Sequence, residues 1–418
     1  MAPSPLYGCS SIEAYTVKDK LGEGTFGQVH RAVHNDTGTV VALKEVLIHN
    51  ENDGFPITAL REIRILKKMD HENVIHLLDV AVKRDPTDRR RAIFSMVTAY
   101  MDHDLSGLLH NERVRLTIPH IKCYMEQLLL GVNYLHQCRY MHRDIKAANI
   151  LVDNRGQVKL ADFGLARSYL EAPPTISGAS PSTTKYTATV VTRWYRPPEL
   201  LLGEQYYTTA IDMWGVGCIF GEIFVRRPIL QGKSDTDQVS LVFEMMGLPT
   251  NETMPGYAKL PGAHLVPHSR GETRKFEQAF GHIPEPARAL LARLLDINPL
   301  TRLTALGALE HPFFSTGPPK CPKSELPIYT SSHELNTKRR QREQREQREQ
   351  RHGGSYDRTD HQTYNQRDNN QRKRKALSFK IPNRKILTGI ELIPPYRREA
   401  YLKEQEEMNR QPPASLDY

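Results

Sequence analysis

The chain has 418 residues, with 57 Lys plus Arg against 48 Asp plus Glu and a formal charge of +9. Residues 315–418 hold 22 basic and 14 acidic side chains and the remainder 35 and 34, so +8 of the excess sits in the last quarter, which excludes a uniformly basic nucleic-acid-binding domain. At about 100–200 residues per domain, the length provides two or three folding units, and 39% hydrophobic residues are enough for a sizeable core.

The five cysteines, Cys9, Cys123, Cys138, Cys218 and Cys321, are odd in number and form no CxxC pair, which argues against a disulfide framework or structural zinc and for a reducing compartment. The N-terminus lacks a basic and then apolar leader. The most apolar stretch, 213–225, is broken by Glu222 and falls short of the ~20 residues that span a bilayer. A soluble intracellular protein with no membrane partner is expected.

After an N-terminal extension, 1–14, residues 15–100 show short β-type runs such as 39–44 and 92–97 around one amphipathic segment. That segment, 56–69, carries Ile57, Leu60, Ile63, Leu66 and Met69 at helical spacing behind an opening proline. Residues 101–314 turn mainly helical, as in 118–137 and 211–225, so the body is α+β. Past 314 the composition becomes polar and repetitive, with a Gln-Arg-Glu triplet over 338–351. A mostly disordered tail is expected, with one apolar docking segment at 376–398.

Leu21, Gly22, Glu23, Gly24, Thr25, Phe26, Gly27, Gln28 and Val29 form a glycine-rich run between two predicted strands. Such a loop lets backbone N–H groups approach phosphate oxygens, and Leu21 and Val29 could sandwich a base. By itself the motif is weak, since glycine-rich hairpins are commonly tight turns. Neither a following helix nor a Walker lysine supports the other nucleotide folds. The patterns downstream change its weight: Lys44 ends a strand, Glu62 follows eighteen residues later on the helix, His142-Arg-Asp-Ile-Lys-Ala-Ala-Asn149 comes next, and Asp162-Phe-Gly164 follows thirteen residues after Asn149.

In this order and spacing the residues resemble a eukaryotic protein kinase over 15–314. The resemblance implies a bilobal kinase fold, with a small β-rich N-lobe (15–100) bearing one main helix, a larger helical C-lobe (101–314) and the tail beyond. It also implies ATP and Mg2+ as cofactors. Lys44 would hold the α and β phosphates, steadied by Glu62. Asn149 and Asp162 would bind magnesium, Asp144 would take or orient the proton of the substrate hydroxyl, and Lys146 would neutralise charge near the γ phosphate. The glycine-rich residues with Ala42, Tyr100, Met101 and Leu151 would enclose the nucleotide, while Asp212 and Arg302 would brace the large lobe.

The helix opening, Pro56-Ile-Thr-Ala-Leu-Arg-Glu62, and Lys146-Ala-Ala-Asn149 are similar to the cyclin-dependent kinases of transcription elongation. That similarity implies a cyclin docked on this helix, RNA polymerase II C-terminal repeats and elongation factors as substrates, an upstream kinase acting on Thr187, and a nuclear location. Arg61, Arg143 and Arg167 would cage the Thr187 phosphate. A Val191 carbonyl turned toward Arg196 would leave no acceptor for an N–H after the phosphoacceptor, which favours proline there.

Several positions depart from the family pattern. The insertion at 170–184 is expected to be mobile. Phe26 replaces an inhibitory tyrosine while Thr25 remains, and Thr98 provides a small gatekeeper before the hinge. Arg372-Lys-Arg-Lys375 suits nuclear import, and the tail as a whole suits weak nucleic-acid contact. The rival readings are a mitogen-activated kinase, whose Thr-x-Tyr motif is absent, and a chromatin or RNA tether acting through the tail.

Overall fold

The structure, a computed structural model, describes residues 9–24, 27–47, 55–84, 92–267 and 275–334. Thr25 and Phe26, the triplet repeat, the basic cluster at 372–375 and the apolar segment 376–398 lie outside them, as does the side chain of Glu23.

The β-rich part contains β1 (Ser10–Ser11), β2 (Tyr15–Gly24), β3 (Gly27–His34), β4 (Val40–Val46), helix α1 (Ile57–Leu66), β5 (Leu77–Arg84) and β6 (Ala92–Ala99). They form one sheet in the order β1-β5-β6-β4-β3-β2. The two-residue period of β4 divides its side chains between faces. Val41 and Leu43 join Tyr15, Ala32, Ala81 and Val97 in a small core, which leaves Ala42 and Lys44 on the other face. The supposed N-terminal extension contributes to this sheet, because Ser10 pairs with Ala81 and Ser11 with Val82 in parallel. Helix α1 is three residues shorter than its apolar spacing suggests. It buries Ala59, Glu62, Ile65 and Leu66, while Ile57 stays 74% exposed and Leu60 40%.

The helical part runs through β7 (His103–Asp104), α2 (Leu105–His110), α3 (Ile118–Gln137), β8 (Tyr140–Met141), β9 (Ile150–Val152), β10 (Val158–Leu160), β11 (Arg167–Ser168), α4 (Pro198–Leu201), α5 (Ala210–Val225), α6 (Asp235–Met246), α7 (Phe276–Phe280), α8 (Glu285–Leu294), α9 (Ala305–Leu309) and α10 (Pro312–Ser315). Helix α5 is apolar almost all round and accordingly lies in the centre of the core, buried from Ala210 to Ile223. Among the described residues no helix is long and apolar enough to cross a membrane.

Two expectations are corrected. Residues 315–334 do not belong to a disordered tail. They form a strap along the helical part, with Cys321, Leu326 and His333 buried. Lys122, itself buried in α3, donates to the carbonyls of Thr316 and Pro318, and Asp104 accepts from the Glu334 N–H at 2.7 Å. The strap is held in part through its own backbone polar groups, beside the core contacts of Cys321 and Leu326 and the ion pairs of Lys320 with Glu126 and Lys323 with Glu72, and its mostly polar composition gave only a weak hydrophobic signal. The insertion at 170–184 is likewise anchored. Gln137 donates to the Pro174 carbonyl at 2.9 Å and Thr304 to that of Thr175 at 2.7 Å, while the Glu171 carboxylate accepts from the N–H and hydroxyl of Thr183 at 2.7 and 3.0 Å.

The glutamate that interrupts α5 has a titration of its own. Burial pushes the Glu222 carboxyl up to about 7 from 4.5; the 2.6 Å hydrogen bond from the Tyr195 hydroxyl opposes this and the charge of Glu334 adds to it. Its Oε1 is buried without a hydrogen-bond partner, so little offsets the cost of charge. Because the folded form binds this proton more tightly than the unfolded chain, the contribution is full below pH ~4.5 and is lost as pH rises to ~7, at up to about 1.4 kcal/mol per pH unit. Thermal melts of Glu222→Gln against the native chain should therefore show a gap that shifts in the variant's favour across that window. A gap constant with pH would contradict this.

Candidate active site

Lys44 comes to the cleft by strand register. It pairs with Val29 of β3 and Met96 of β6, so the end of the glycine-rich hairpin and the strand leading to the hinge flank it. The hairpin is closed by the pairs Gly22–Val29, Glu23–Gln28 and Gly24–Gly27. Gly27 has φ 143°, and a Cβ there would meet the Glu45 carbonyl at 1.8 Å, so only glycine lets β3 lie this close to β4. Ala42 lies two residues before Lys44 on the same strand face, opposite Thr98. Tyr100 and Met101 follow β6, and Leu151 pairs with Asp104 just past them, which sets β9 beneath the hinge.

From α1, Glu62 reaches Lys44 at 2.8 and 3.0 Å, and Asp162 reaches it at 2.7 Å. Burial pulls the Lys44 pKa down, but the two carboxylates outweigh it and hold the ammonium charged well above its ordinary range. Burial likewise raises Asp162, yet Lys44 overcomes it and keeps that carboxylate ionised. At Glu62 burial dominates and the pKa rises, with Lys44 acting against it.

The loop 142–149 is fastened from below. Asp212, buried at the start of α5, accepts from the His142 and Arg143 N–H groups at 2.8 Å each and from His136 at 2.9 Å, which keeps its pKa low despite burial. His142 accepts the Asp144 N–H on Nδ1 and donates from Nε2 to the Ala161 carbonyl, so its ring is neutral, as burial favours. Thus held, Asp144 takes Lys146 at 2.7 Å and the Asn149 amide at 3.1 Å on Oδ2, and the Thr192 hydroxyl at 2.7 Å on Oδ1. Thr192 also stands 3.2 Å from Lys146. Its part in the cluster was not legible in the sequence, where it is one of many threonines. Only the return of the 187–196 segment to the loop 142–149 reveals it.

Three non-glycine residues hold left-handed backbone here: Arg143 (φ 64°), Asp162 (φ 65°) and Val191 (φ 67°). Each costs on the order of 1–3 kcal/mol and persists only where neighbours fix it. For Val191 the fixing group is Arg196, which donates to the Val190 carbonyl at 3.0 Å and to that of Val191 at 3.1 Å. Arg61, Arg143 and Arg167 also converge. Burial and repulsion from the other two lower the proton affinity of Arg61, and Arg143 donates to the Tyr207 hydroxyl, which donates to the carbonyl of exposed Thr187.

The strap reaches the hinge, where Ser331 Oγ stands 3.3 Å from the Tyr100 hydroxyl and a Cβ on Gly107 would strike the Ser332 carbonyl at 2.7 Å. The arrangement as a whole can hold a polyphosphate beside Lys44 and present a hydroxyl to Asp144. Hard oxygen donors for Mg2+ are also at hand, since Asn149 spends its amide nitrogen on Asp144 and Asp162 spends one oxygen on Lys44, leaving one oxygen each.

The sequence profile of the protein kinase domain matches residues 15–314. The chain is 54% identical over 343 residues to a Bur serine/threonine-protein kinase of Yarrowia lipolytica, covering 81% of this chain and 49% of that protein. It is 52% identical over 340 residues to the probable cyclin-dependent kinase 9 of Schizosaccharomyces pombe, covering 80% and 57%. It thus spans about half the length of these curated relatives. The crystal structure of the yeast RNA Pol II CTD kinase CTDK-1 complex matches with a TM-score of 0.66 at 34% identity, covering 77% of this chain and 99% of that one. The chain belongs to the protein kinase family, in the cyclin-dependent branch of transcription-elongation kinases.

Proposed function

We propose that this protein is a cyclin-dependent serine/threonine kinase that moves the γ-phosphoryl group of ATP to serine or threonine followed by proline. The observation that carries this is the pairing of the Asp144–Lys146–Asn149–Thr192 cluster with the Val191 carbonyl that Arg196 draws aside. Asp144 accepts the proton of the attacking hydroxyl, and Lys146 neutralises charge that builds on the transferred group. Lys44, fixed by Glu62, positions the α and β phosphates; Ala42, Met101 and Leu151 enclose the adenine. Asn149 and Asp162 would hold Mg2+, which would supply charge neutralisation to the transferred group.

Because the Val191 carbonyl is already taken, an N–H after the phosphoacceptor would be buried without a partner, at a cost of about 1–3 kcal/mol. Proline has no such N–H. On a Ser-Pro peptide kcat/KM should thus exceed that on its Ser-Ala counterpart by roughly 10- to 100-fold, as that penalty implies. Equal values would remove the proline-directed reading.

The similarity to the yeast RNA Pol II CTD kinase supports RNA polymerase II C-terminal repeats as substrates; elongation factors as further substrates and the nucleus as location rest on the family resemblance alone. The exposed Ile57 and Leu60 on α1, beside a shallow groove of about 270 Å3 shared with Arg61 and Arg167, suit a cyclin. Three clustered guanidiniums repel one another until an anion joins them, which supports phosphorylation of Thr187. Ala188 follows Thr187 and keeps its N–H, so a proline-directed enzyme disfavours this site and a separate upstream kinase is its modifier.

A further inference from the structure

Ser180 and Pro181 form the only Ser-Pro or Thr-Pro pair among the described residues; Ser4-Pro5 is the other in the chain. Both residues are exposed, and 179–183 carry no regular secondary structure, so the segment can be read as an extended strand of substrate. Its hydrogen bonds on either side leave the Ser180 hydroxyl and the Pro181 ring uncovered, although Glu171 also accepts from Ser182 and Thr184. The Tyr169 hydroxyl donates to the Ser180 carbonyl at 2.9 Å, and Glu171 holds Thr183. Two further anchors, at Pro174 and Thr175, lie upstream.

We propose that Ser180 is a phosphoacceptor for a second copy of this same kinase. The inference rests on the proline-directed reading above. The acceptor and the pocket of residues 190–196 belong to one continuous segment, so a chain cannot lay Pro181 against its own pocket without dismantling that pocket. A second copy can. In the transfer, the bond from the γ phosphorus to the β–γ bridging oxygen of ATP breaks and a bond to Ser180 Oγ forms. The hydroxyl proton passes to Asp144 of the copy acting as enzyme, and ADP leaves. Self-modification at Ser180 and modification of Thr187 by another kinase then fall to different enzymes for one reason, the residue that follows each acceptor.

The test uses the active full chain in its cyclin complex as enzyme and the full chain carrying Asp144→Asn, with a size tag, as acceptor, with γ-labelled ATP and a Ser-Pro peptide in the same reaction. The acceptor should be labelled at Ser180, lose that label on Ser180→Ala or Pro181→Ala, and be labelled at a rate proportional to the enzyme added. The peptide should be labelled throughout. Labelled peptide with an acceptor unlabelled, labelled only at Ser4, or unaffected by Ser180→Ala overturns the proposal and spares the proline-directed reading. Label confined to the active chain, at a rate per enzyme independent of concentration, overturns the second-copy assignment. An unlabelled peptide removes both readings together.

Discussion

Replacing Asp144 with asparagine should lower kcat on a Ser-Pro peptide by about 10²- to 10⁴-fold, the usual contribution of a positioned proton acceptor, with little change in the KM for ATP. Asparagine has the same shape, so the loop fixed by Asp212 should keep its fold. What changes is the polarity of the group. The carboxylate accepts from Lys146 and Asn149 on one oxygen and from Thr192 on the other, and an amide must turn an NH2 toward one of those donors. Lys146 and Thr192 thereby lose their common partner together with the proton acceptor. Steady-state kinetics with a matched circular dichroism spectrum provide the check, and activity within threefold of the native chain would remove Asp144 from its proposed role.

Arg302→Met should cost about 3–5 kcal/mol of stability, the range seen when one member of a buried ion pair is removed. Arg302 meets Glu199 at 2.7 and 2.9 Å with side chains 0% and 2% exposed, donates to the carbonyls of Asp296 and Ala210, and lies over the Trp214 ring. Without it Glu199 is left buried without its ion-pair partner. Adding Glu199→Leu should recover a large part of the loss, since a buried pair replaced whole by apolar groups is frequently near neutral. Urea unfolding of both variants separates the unpaired charge from the worth of the pair. A double variant as unstable as the single one would assign the effect to lost packing on Trp214.

The residues of the reaction were largely legible in the sequence because their spacing is itself a constraint. Asp144, Lys146 and Asn149 lie within six positions, and Asp162 follows at a distance fixed by the β9–β10 hairpin. Helices α3 and α5 were legible for a different reason: one carries an amphipathic period and the other a largely apolar run. Thr192 and the strap were not legible, and His142 was legible as a motif residue but not in its bracing contacts, because each acts through a partner far away in the chain. Asp212 lies 70 residues from the His142 N–H it accepts, and Asp104 lies 230 from that of Glu334.

By itself, then, the sequence determined the chemistry: which ions and hydroxyl-bearing groups are available and at what intervals. It also located the basic excess outside the catalytic body, and it marked 170–184 and 315–334 as polar. The tertiary structure decided what those polar segments do. A segment without an apolar stripe can still be ordered when charged, amide and hydroxyl side chains meet its backbone N–H and C=O groups, as Lys122, Gln137, Thr304 and Asp104 do here. Hydrophobic patterning reports burial of side chains. It is silent about a backbone satisfied by distant partners, and that is how this protein fixes its insertion, its strap and the turned carbonyl of Val191.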